Sequence, residues 1–175
     1  MIQVYTTGGT IDKVYFDAQS DFEVGDPLVA DILKIAGTQV PFELEILLRK
    51  DSLDITDEDR QRVAETIATC DHQRVLVTHG TDTMAQTAMT TADTLLSLPD
   101  GRGMGKTVVF VGSLTPARFR ETDAEFNVGF AWAAVQTMPP GVYVAMNGRV
   151  FDARAVHKNR QKNRFEHTLL QPALD

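Results

Sequence analysis

Short apolar runs rich in β-branched residues alternate along this chain with segments whose apolar residues recur at helical spacing. The runs predict five buried strands, at residues 2–6, 41–48, 74–79, 107–112 and 142–147. The periodic segments predict helices at residues 28–36, 57–69, 83–97 and 124–137, the first of them capped by Asp26 and begun by Pro27. Strands that alternate with helices predict right-handed crossovers. The expected fold is therefore a three-layer α/β domain whose mostly parallel sheet carries helices on both faces.

Two loops rich in threonine and glycine follow the first and third predicted strands. Their sequences are Thr-Thr-Gly-Gly-Thr-Ile at residues 6–11 and His-Gly-Thr-Asp-Thr-Met at residues 79–84. Open parallel sheets bind ligands at the carboxyl ends of their strands, and a five-stranded sheet of flavodoxin-like topology would place these two strands side by side. Periodicity does not establish the strand order, but this order would bring Thr10 and Thr81 together. Residues 12–26 lack helical periodicity and predict a hairpin-like flap over the first loop.

Each loop has a functional and a purely structural interpretation. Glycine lets the backbone approach a ligand closely, so Thr10 could present its hydroxyl as a nucleophile, provided that a base activates it. The alternative is that Gly8 and Gly9 form a tight turn that Thr10 merely caps. Thr81 and Asp82 precede a predicted helix, whose free N–H groups favour an anionic group or an oxyanion. A plain helix cap is the alternative there.

Composition narrows the class of protein. The chain has 175 residues, 43% of them hydrophobic and 23% charged, which suits one globular domain with a substantial core. Its net charge of -7 argues against general affinity for nucleic acid or for anionic membranes. Cys70 is the only cysteine, which fits a reducing cytoplasm. No apolar stretch approaches the roughly 20 residues that span a bilayer. The N-terminus shows no secretory leader, so a cytoplasmic protein is expected.

Neither a nucleotide site nor a metal site is predicted. The segment Asp100–Thr107 ends like a P-loop, but it lacks the first glycine and a strand follows it. The four histidines show no zinc-binding spacing, and the single cysteine adds nothing to them. The expected protein therefore uses no cofactor.

The two threonine-glycine loops together resemble the paired signatures of bacterial-type L-asparaginases. The resemblance continues through Val111–Ser113 and runs to the segment Asn147–Lys158, so it spans most of the chain. It implies an amidohydrolase that converts L-asparagine to L-aspartate and ammonia by threonine nucleophilic catalysis. L-asparagine would then be the small-molecule partner, and no cofactor would be needed.

The resemblance also implies a role for each matching residue. Thr10 would be the nucleophile, and Lys158 would be an amine beside the Thr81 hydroxyl that relays a proton. From composition alone, Lys158 would count as one member of a solvated basic run near the C-terminus. Asp82 would bind the α-amino group of the substrate, and a serine would hold its α-carboxylate. The expected substrate-binding residues are Gly9, Asp51, Ser52, Gly80, Thr81 and Asp82.

Three departures from the family pattern change the expected site. Phe22 lies where the family has a flap tyrosine, so either Tyr15 replaces that tyrosine or the nucleophile is activated in another way. Leu53 replaces the glutamine of some members and removes a polar contact to the substrate. The chain ends at Asp175, where the second domain of long members would begin. A single domain over residues 1–175, without that C-terminal domain, is therefore expected. A site open at one edge then predicts a homo-oligomer, either a dimer or a dimer of dimers.

Two other functions stay open at this point. A related amidohydrolase, either a glutaminase or an enzyme of mixed specificity, would carry the same loops, and Leu53 and the shortened chain could reshape the pocket in favour of either substrate. A non-catalytic domain that binds asparagine or aspartate would fit the absence of the flap tyrosine and of the C-terminal domain. The complete set of Thr81, Asp82 and Lys158 is more than a binding domain needs, which favours an enzyme.

Overall fold

The computed structural model describes residues 1–16, 21–99 and 101–168. Within these residues the α-helices are α1 (Val29–Ile35), α2 (Asp57–Thr69), α3 (Met84–Ser97) and α4 (Ala124–Thr137). The strands are β1 (Ile2–Gly8), β2 (Lys13–Phe16), β3 (Asp21–Val24), β4 (Phe42–Lys50), β5 (Arg74–Thr78), β6 (Thr107–Val111), β7 (Gly141–Met146), β8 (Arg149–Asp152), β9 (Val156–Asn159) and β10 (Arg164–His167). None of these helices is long and apolar enough to cross a membrane.

A six-stranded sheet in the order β4-β1-β5-β6-β7-β8 forms the centre of the fold. Its first five strands are parallel and follow the predicted flavodoxin-like order, so β1 and β5 lie side by side with Thr6 opposite Thr78. The predicted number of five strands is wrong, because β8 adds an antiparallel sixth strand to β7. The turn between β7 and β8 is Asn147-Gly148, with φ of 53° and 74°. This residue pair favours tight hairpins.

The helices cover both faces of the sheet, with α1 packed on α4 and α2 packed on α3. Helix α1 leads from β1 to β4 in one direction across the sheet, whereas α2, α3 and α4 each lead in the opposite direction. Two crossovers that lie on the same face of a sheet and run in opposite directions have opposite hands. Helices α1 and α4 share a face and run in opposite directions, so the crossover through α4 is left-handed while the one through α1 is right-handed. The prediction of right-handed crossovers is therefore wrong for this one unit.

The loop of residues 112–123 makes the left-handed crossover possible by leading the chain over the carboxyl end of the sheet before α4 begins. The Ala117 N–H donates to the Ile11 carbonyl oxygen at 3.1 Å. The Asp123 carboxylate accepts two backbone N–H groups within the loop, each at 3.0 Å. This crossing loop is thus held by its own carboxylate and joined to the segment that carries Thr10.

Helices α2 and α4 have the predicted bounds, and α2 shows how a local signal fixes them. The Thr56 hydroxyl accepts the Asp59 N–H at 3.2 Å, and the Asp59 carboxylate accepts the Thr56 N–H at 3.0 Å. Helix α1 begins later than predicted, because Asp26 does not cap it. Instead, the Asp12 carboxylate accepts the Leu28 N–H at 3.1 Å, although Asp12 is remote from this helix in the sequence.

The core lies between the sheet and the helices on each face. Every residue of β1 and β6 is buried, and the largest buried side chains include Phe110, Ile67 and Met84. Parallel strands that are covered on both faces are expected to be apolar along their whole length, which is how these runs were recognised. The core therefore gives the loops at the carboxyl ends of β1 and β5 a rigid base.

Candidate active site

The first threonine-glycine loop leaves β1 through two glycines in the left-handed conformation. Gly8 and Gly9 have φ of 92° and 91°, and the Gly9 N–H donates to the Lys50 carbonyl oxygen at 3.0 Å. A Cβ on Gly8 would lie 2.7 Å from that carbonyl oxygen and 2.8 Å from the Val24 side chain, so only glycine fits. The chain then forms a short 3-10 turn that begins with Thr10, which is half-buried.

His79 fixes the second loop, which connects β5 to α3. Its ring is fully buried, with Nδ1 2.8 Å from the Gly80 carbonyl oxygen and Nε2 2.8 Å from the Thr87 hydroxyl. A carbonyl oxygen only accepts, so we assign the proton to Nδ1 and the acceptor role to Nε2. Burial lowers the pKa of His79 to about 4, and the imidazole is therefore neutral at pH 7. The histidine ties the turn before Thr81 to helix α3, a role that was not predicted from the sequence.

The two loops touch through their backbones. A Cβ on Gly9 would lie 2.3 Å from the Gly80 Cα, and a Cβ on Gly80 would lie 2.6 Å from the Ser52 Cβ. Three chain segments therefore meet at a point where no additional side chain fits between them. Thr10 and Thr81 directly follow these two glycines, so the structure brings their segments together at one end of the sheet.

Lys158 reaches the second loop from the hairpin of β9 and β10. Its ammonium group donates to the Thr81 hydroxyl oxygen at 2.7 Å and to the Asp82 carboxylate at 2.8 Å. The Lys158 side chain is 10% exposed and that of Asp82 is 34% exposed, so the group is shielded behind the lysine and open on the carboxylate side. Such a group can move a proton at the Thr81 hydroxyl and can present a carboxylate to a cationic part of a ligand.

The turn after β4 places Ser52 at the junction of the two loops. Ser52 is 2% exposed, and its carbonyl oxygen accepts the Thr83 hydroxyl at 2.6 Å. Asp51 caps this turn by accepting the Leu53 N–H at 3.0 Å, and it pairs with the Lys13 ammonium at 2.5 Å. Burial alone would raise the pKa of Asp51, but Lys13 and the Leu53 N–H outweigh it and hold that pKa below its ordinary value. The Asp51 carboxylate is thus engaged with the flap and with its own turn.

The predicted flap contains the antiparallel hairpin of β2 and β3, in which Tyr15 is the cross-strand partner of Phe22. The side chains of both residues lie outside the described part of the structure, so the role of Tyr15 stays a prediction. The Gly25 N–H donates to the Asp12 carbonyl oxygen at 2.8 Å and closes the base of the flap. Asp12 and Lys13 were not among the predicted site residues, although two charged residues directly after a buried loop were a usable signal.

The chemical groups at this junction are hydroxyls, an amine, carboxylates and backbone N–H groups. In the described ranges, no group of three or more His, Cys, Asp or Glu side chains is placed to hold a metal ion. A threonine hydroxyl on one loop, with a lysine-bound hydroxyl on the loop that touches it, suits nucleophilic attack on a carbonyl carbon followed by proton transfer.

Comparison with known proteins gives one consistent picture. Residues 1–168 match the family model described as Asparaginase, N-terminal. The chain is 29% identical to the L-asparaginase of Thermococcus kodakarensis and 32% identical to L-asparaginase 2 of Escherichia coli, over 89% and 90% of this chain and 46% of each relative. The crystal structure of a probable cytoplasmic L-asparaginase from Campylobacter jejuni matches with a TM-score of 0.74 at 28% identity, over 95% of this chain and 51% of that one. The chain thus spans about half the length of the curated relatives it matches.

Proposed function

This chain belongs to the asparaginase family, and we propose that it hydrolyses the side-chain amide of L-asparagine to L-aspartate and ammonia. The observation that carries the proposal is the hydrogen-bonded group of Lys158, Thr81 and Asp82, at the same end of the sheet as Thr10. A domain that only binds an amino acid has no need of an amine directed at a buried hydroxyl. The proposed reaction uses no cofactor.

Thr10 is the proposed nucleophile. Its hydroxyl oxygen bonds to the side-chain amide carbon of asparagine while its proton passes to a base, with Tyr15 of the flap as the proposed relay. The amide nitrogen takes up a proton and leaves as ammonia, so that an ester joins Thr10 to the aspartyl group. The backbone N–H groups of Thr10 and Thr81 stabilise the oxyanion, an effect that is worth about 10²–10³ in rate per donor in other enzymes.

Thr81 and Lys158 act in the second half of the proposed reaction. In this step the Thr81 hydroxyl, which the Lys158 ammonium holds in place, hydrogen-bonds a water molecule whose oxygen attacks the ester carbon. A proton of that water passes through the Thr81 hydroxyl to the Thr10 oxygen as the ester bond breaks, so that Thr10 regains its hydroxyl and aspartate leaves. The Lys158 ammonium donates to the Thr81 hydroxyl oxygen at 2.7 Å, which supports its role in orienting this relay.

The two ends of the substrate are held by separate groups in this proposal. Asp82, with its partly exposed carboxylate, receives the α-amino group. Ser52 and the Gly80 backbone, which lie against each other, hold the α-carboxylate. Asp51 contributes by shaping the Ser52 turn through its bond from the Leu53 N–H. A fixed distance between the two ends would limit the substrate to one amino acid.

Ammonia release from asparagine tests the proposal. The Thr10→Ala and Lys158→Met variants should each lose turnover by about 10³-fold or more, with an unchanged circular dichroism spectrum and melting temperature. Lys162→Met is the matched control, because Lys162 lies in the same basic run but is 59% exposed and pairs with Glu166. The control should keep full turnover. Undiminished turnover of the Thr10→Ala variant would reject the nucleophile.

Glutaminase activity is the second candidate function, and Leu53 favours it. This side chain is 63% exposed directly after Ser52, so it offers no polar group that would distinguish asparagine from the longer glutamine. Turnover of asparagine, glutamine and succinamic acid should be compared under the same conditions. A preference for glutamine would replace the first proposal, whereas saturable aspartate binding without ammonia release would support a binding domain.

We further propose a homo-oligomer, either a dimer or a dimer of dimers, that works in the cytoplasm. The exposed side of Asp82 leaves an edge of the site that a second subunit would cover. Cys70, the single cysteine, suits a reducing compartment. Sedimentation velocity that detects a fully active monomer would reject the oligomer, and cell fractionation with the protein in the periplasm would reject the compartment.

A further inference from the structure

Basic residues are concentrated in one segment of the chain, although the protein as a whole is acidic. Residues 147–168 contain six of the 17 Lys and Arg residues but only two of the 24 Asp and Glu residues, together with two of the four histidines. This segment contains strand β8 and the β9–β10 hairpin. It therefore carries a positive charge on a protein whose net charge is -7, and this favours the approach of anions to this part of the surface.

A cavity of about 680 Å³ lies in this segment, between the β7–β8 turn and strand β10. Its floor is apolar, because Met146 and Phe165 are buried. Exposed basic side chains surround the floor, and they are those of Arg149, His157, Arg164 and His167. Small-molecule sites in proteins have volumes of about 300–1,000 Å³ and combine apolar walls with a few charged groups. The cavity has the size and the composition of such a site.

The walls of the cavity are fixed by contacts with buried side chains. The Asn147 N–H donates to the side-chain oxygen of Asn127 at 3.1 Å, which holds the β7–β8 turn. The Arg149 guanidinium lies over the ring of Phe151, 5.1 Å from its centroid, and the His167 ring contacts the same ring with centroids 4.9 Å apart. Phe151 is 1% exposed. One buried aromatic ring thus positions two basic groups beside the cavity, so a ligand would lose little affinity to ordering them.

Two of the basic groups still have hydrogen-bond donors to offer. Glu166 is the acidic residue in the lining, and its carboxylate is already engaged by Arg164 at 2.7 Å, Asn159 at 2.9 Å and Lys162 at 3.5 Å. Arg149 and His157, in contrast, form no ion pair and no side-chain hydrogen bond with any residue that the structure describes. These two side chains are therefore the groups through which an anion can be held.

We propose that this cavity binds a small dianion, either a phosphate group or a dicarboxylate. Arg149 holds one anionic group through two parallel N–H bonds, because the planar guanidinium matches the oxygens of both ligand types. His157 donates an imidazole N–H to the same ligand. Two negative charges are favoured over one because the surrounding segment has an excess of positive charge.

The proposed anion site is separate from the proposed active site. Lys158, next to His157 on β9, reaches Thr81 instead of the cavity. Successive side chains of a strand point to opposite faces, so neighbouring residues of β9 serve the two sites. Binding of the dianion is therefore an additional property that does not depend on hydrolysis of asparagine.

Isothermal titration calorimetry with inorganic phosphate and with succinate tests the proposal, at an ionic strength held constant with sodium chloride. Each dianion that fits should bind saturably to one site. Arg149→Met should raise Kd about ten-fold or more, because it removes a charge-assisted pair of hydrogen bonds. His157→Leu should raise Kd about three-fold or more, and Arg149→Lys, which keeps the charge but not the paired donors, should raise it less than Arg149→Met.

The matched control is Arg154→Met, which removes the same charge from the same segment. Arg154 pairs with Asp93 at 2.6 Å and lines a different cavity. Its loss should change Kd by less than about two-fold. Melting temperatures equal to that of the parent would show that all of these variants are folded.

Every outcome of the titrations decides the proposal. Binding of phosphate alone would support a phosphate-bearing ligand, binding of succinate alone would support a dicarboxylate, and binding of both would support a site for either. Absence of saturable binding of both dianions would overturn the site. The same holds if Arg149→Met leaves Kd unchanged, or if Arg154→Met weakens binding as much as Arg149→Met does. Ammonia release is not measured in these titrations, so failure of the anion site and failure of the proposed function are distinguishable.

Discussion

Asp12 provides a test of how the structure sets stability against pH. Its side chain is 1% exposed. One carboxylate oxygen accepts the Leu28 N–H at 3.1 Å, and the other is buried without a hydrogen-bond partner in the described ranges. Burial raises the pKa of Asp12 from 3.8 to about 6, against smaller opposing effects of the Leu28 N–H, Arg118 and Arg49.

The raised pKa of Asp12 makes ionisation costly in the folded state. The folded carboxyl group keeps its proton up to about pH 6, whereas the unfolded chain loses it near pH 3.8. The folded state therefore binds more protons inside this window, and its stability falls as pH rises through it. The whole loss is about 3 kcal/mol. Asparagine cannot ionise. The free energy of unfolding of Asp12→Asn should therefore rise by about 3 kcal/mol relative to that of the parent between pH 3.8 and pH 6, and the difference should stay constant at higher pH.

His79 opposes Asp12 over nearly the same pH range. Burial lowers the pKa of His79 from 6.5 to about 4, so the unfolded chain binds the additional proton and stability rises with pH between these values. The two slopes offset each other in the parent protein, whose own stability curve is therefore not diagnostic. The difference between Asp12→Asn and the parent removes the contribution of His79, because both proteins contain that residue.

Urea unfolding at pH 4.5 and at pH 8, followed by the fluorescence of the single tryptophan, Trp132, measures this difference. A buried amide NH₂ group in Asp12→Asn adds an offset that is the same at both pH values, so the change between them is the quantity to compare. Asp31→Asn, which removes an exposed carboxylate on α1, is the control. If the difference in the free energy of unfolding between Asp12→Asn and the parent is equal at the two pH values, then ionisation of Asp12 does not destabilise the folded state and the reasoning is refuted.

Two further substitutions test the contacts that hold the loops. Gly80→Ala places a methyl group 2.6 Å from the Ser52 Cβ and should abolish ammonia release and lower the melting temperature. Gly129→Ala, with no atom within 4 Å of the added Cβ, should instead be neutral or stabilising. His79→Leu removes the ring partner of the Gly80 carbonyl oxygen and leaves the Thr87 hydroxyl with its longer bond, 3.4 Å, to the Thr83 carbonyl oxygen, so it should cost about 2–4 kcal/mol in urea unfolding. A melting temperature of Gly80→Ala or an unfolding midpoint of His79→Leu equal to that of the parent would contradict these two expectations, and a lower melting temperature of Gly129→Ala would contradict the third.

Much of this fold could be predicted because its central strands β1, β5, β6 and β7 are buried and its main loops carry glycine. A central parallel strand is apolar along its whole length, so its bounds follow from composition, as for residues 107–112, where the structure has Thr107–Val111. The bounds of α2 follow from Thr56 and Asp59, which cap each other within one turn. The meeting of the two loops follows from strand order, since adjacent parallel strands bring their carboxyl ends together.

The features that could not be predicted depend on contacts between distant segments. Lys158 belongs to a charged run that is typical of a solvated surface, so its place beside Thr81 was predicted from the family resemblance and not from the local pattern; the β9–β10 hairpin brings it there. The hand of the α4 crossover depends on where residues 112–123 pass, which no local pattern encodes. The start of α1 is set by Asp12, not by the adjacent Asp26, so the nearest capping residue gave the wrong bound.

The position of Thr10, the proposed nucleophile, and the position of the flap both depend on two consecutive residues. Asp12 contacts the end of the flap and the start of α1, because its carbonyl oxygen accepts the Gly25 N–H and its carboxylate accepts the Leu28 N–H. Lys13 connects the flap to the Ser52 turn through its ion pair with Asp51. Asp12 ends the 3-10 turn that begins with Thr10 and Lys13 follows it, and the Asp12 N–H donates back to the Gly9 carbonyl oxygen at 3.1 Å. The base of the flap and the turn that begins with Thr10 therefore share Asp12, so the position of the one depends on the position of the other.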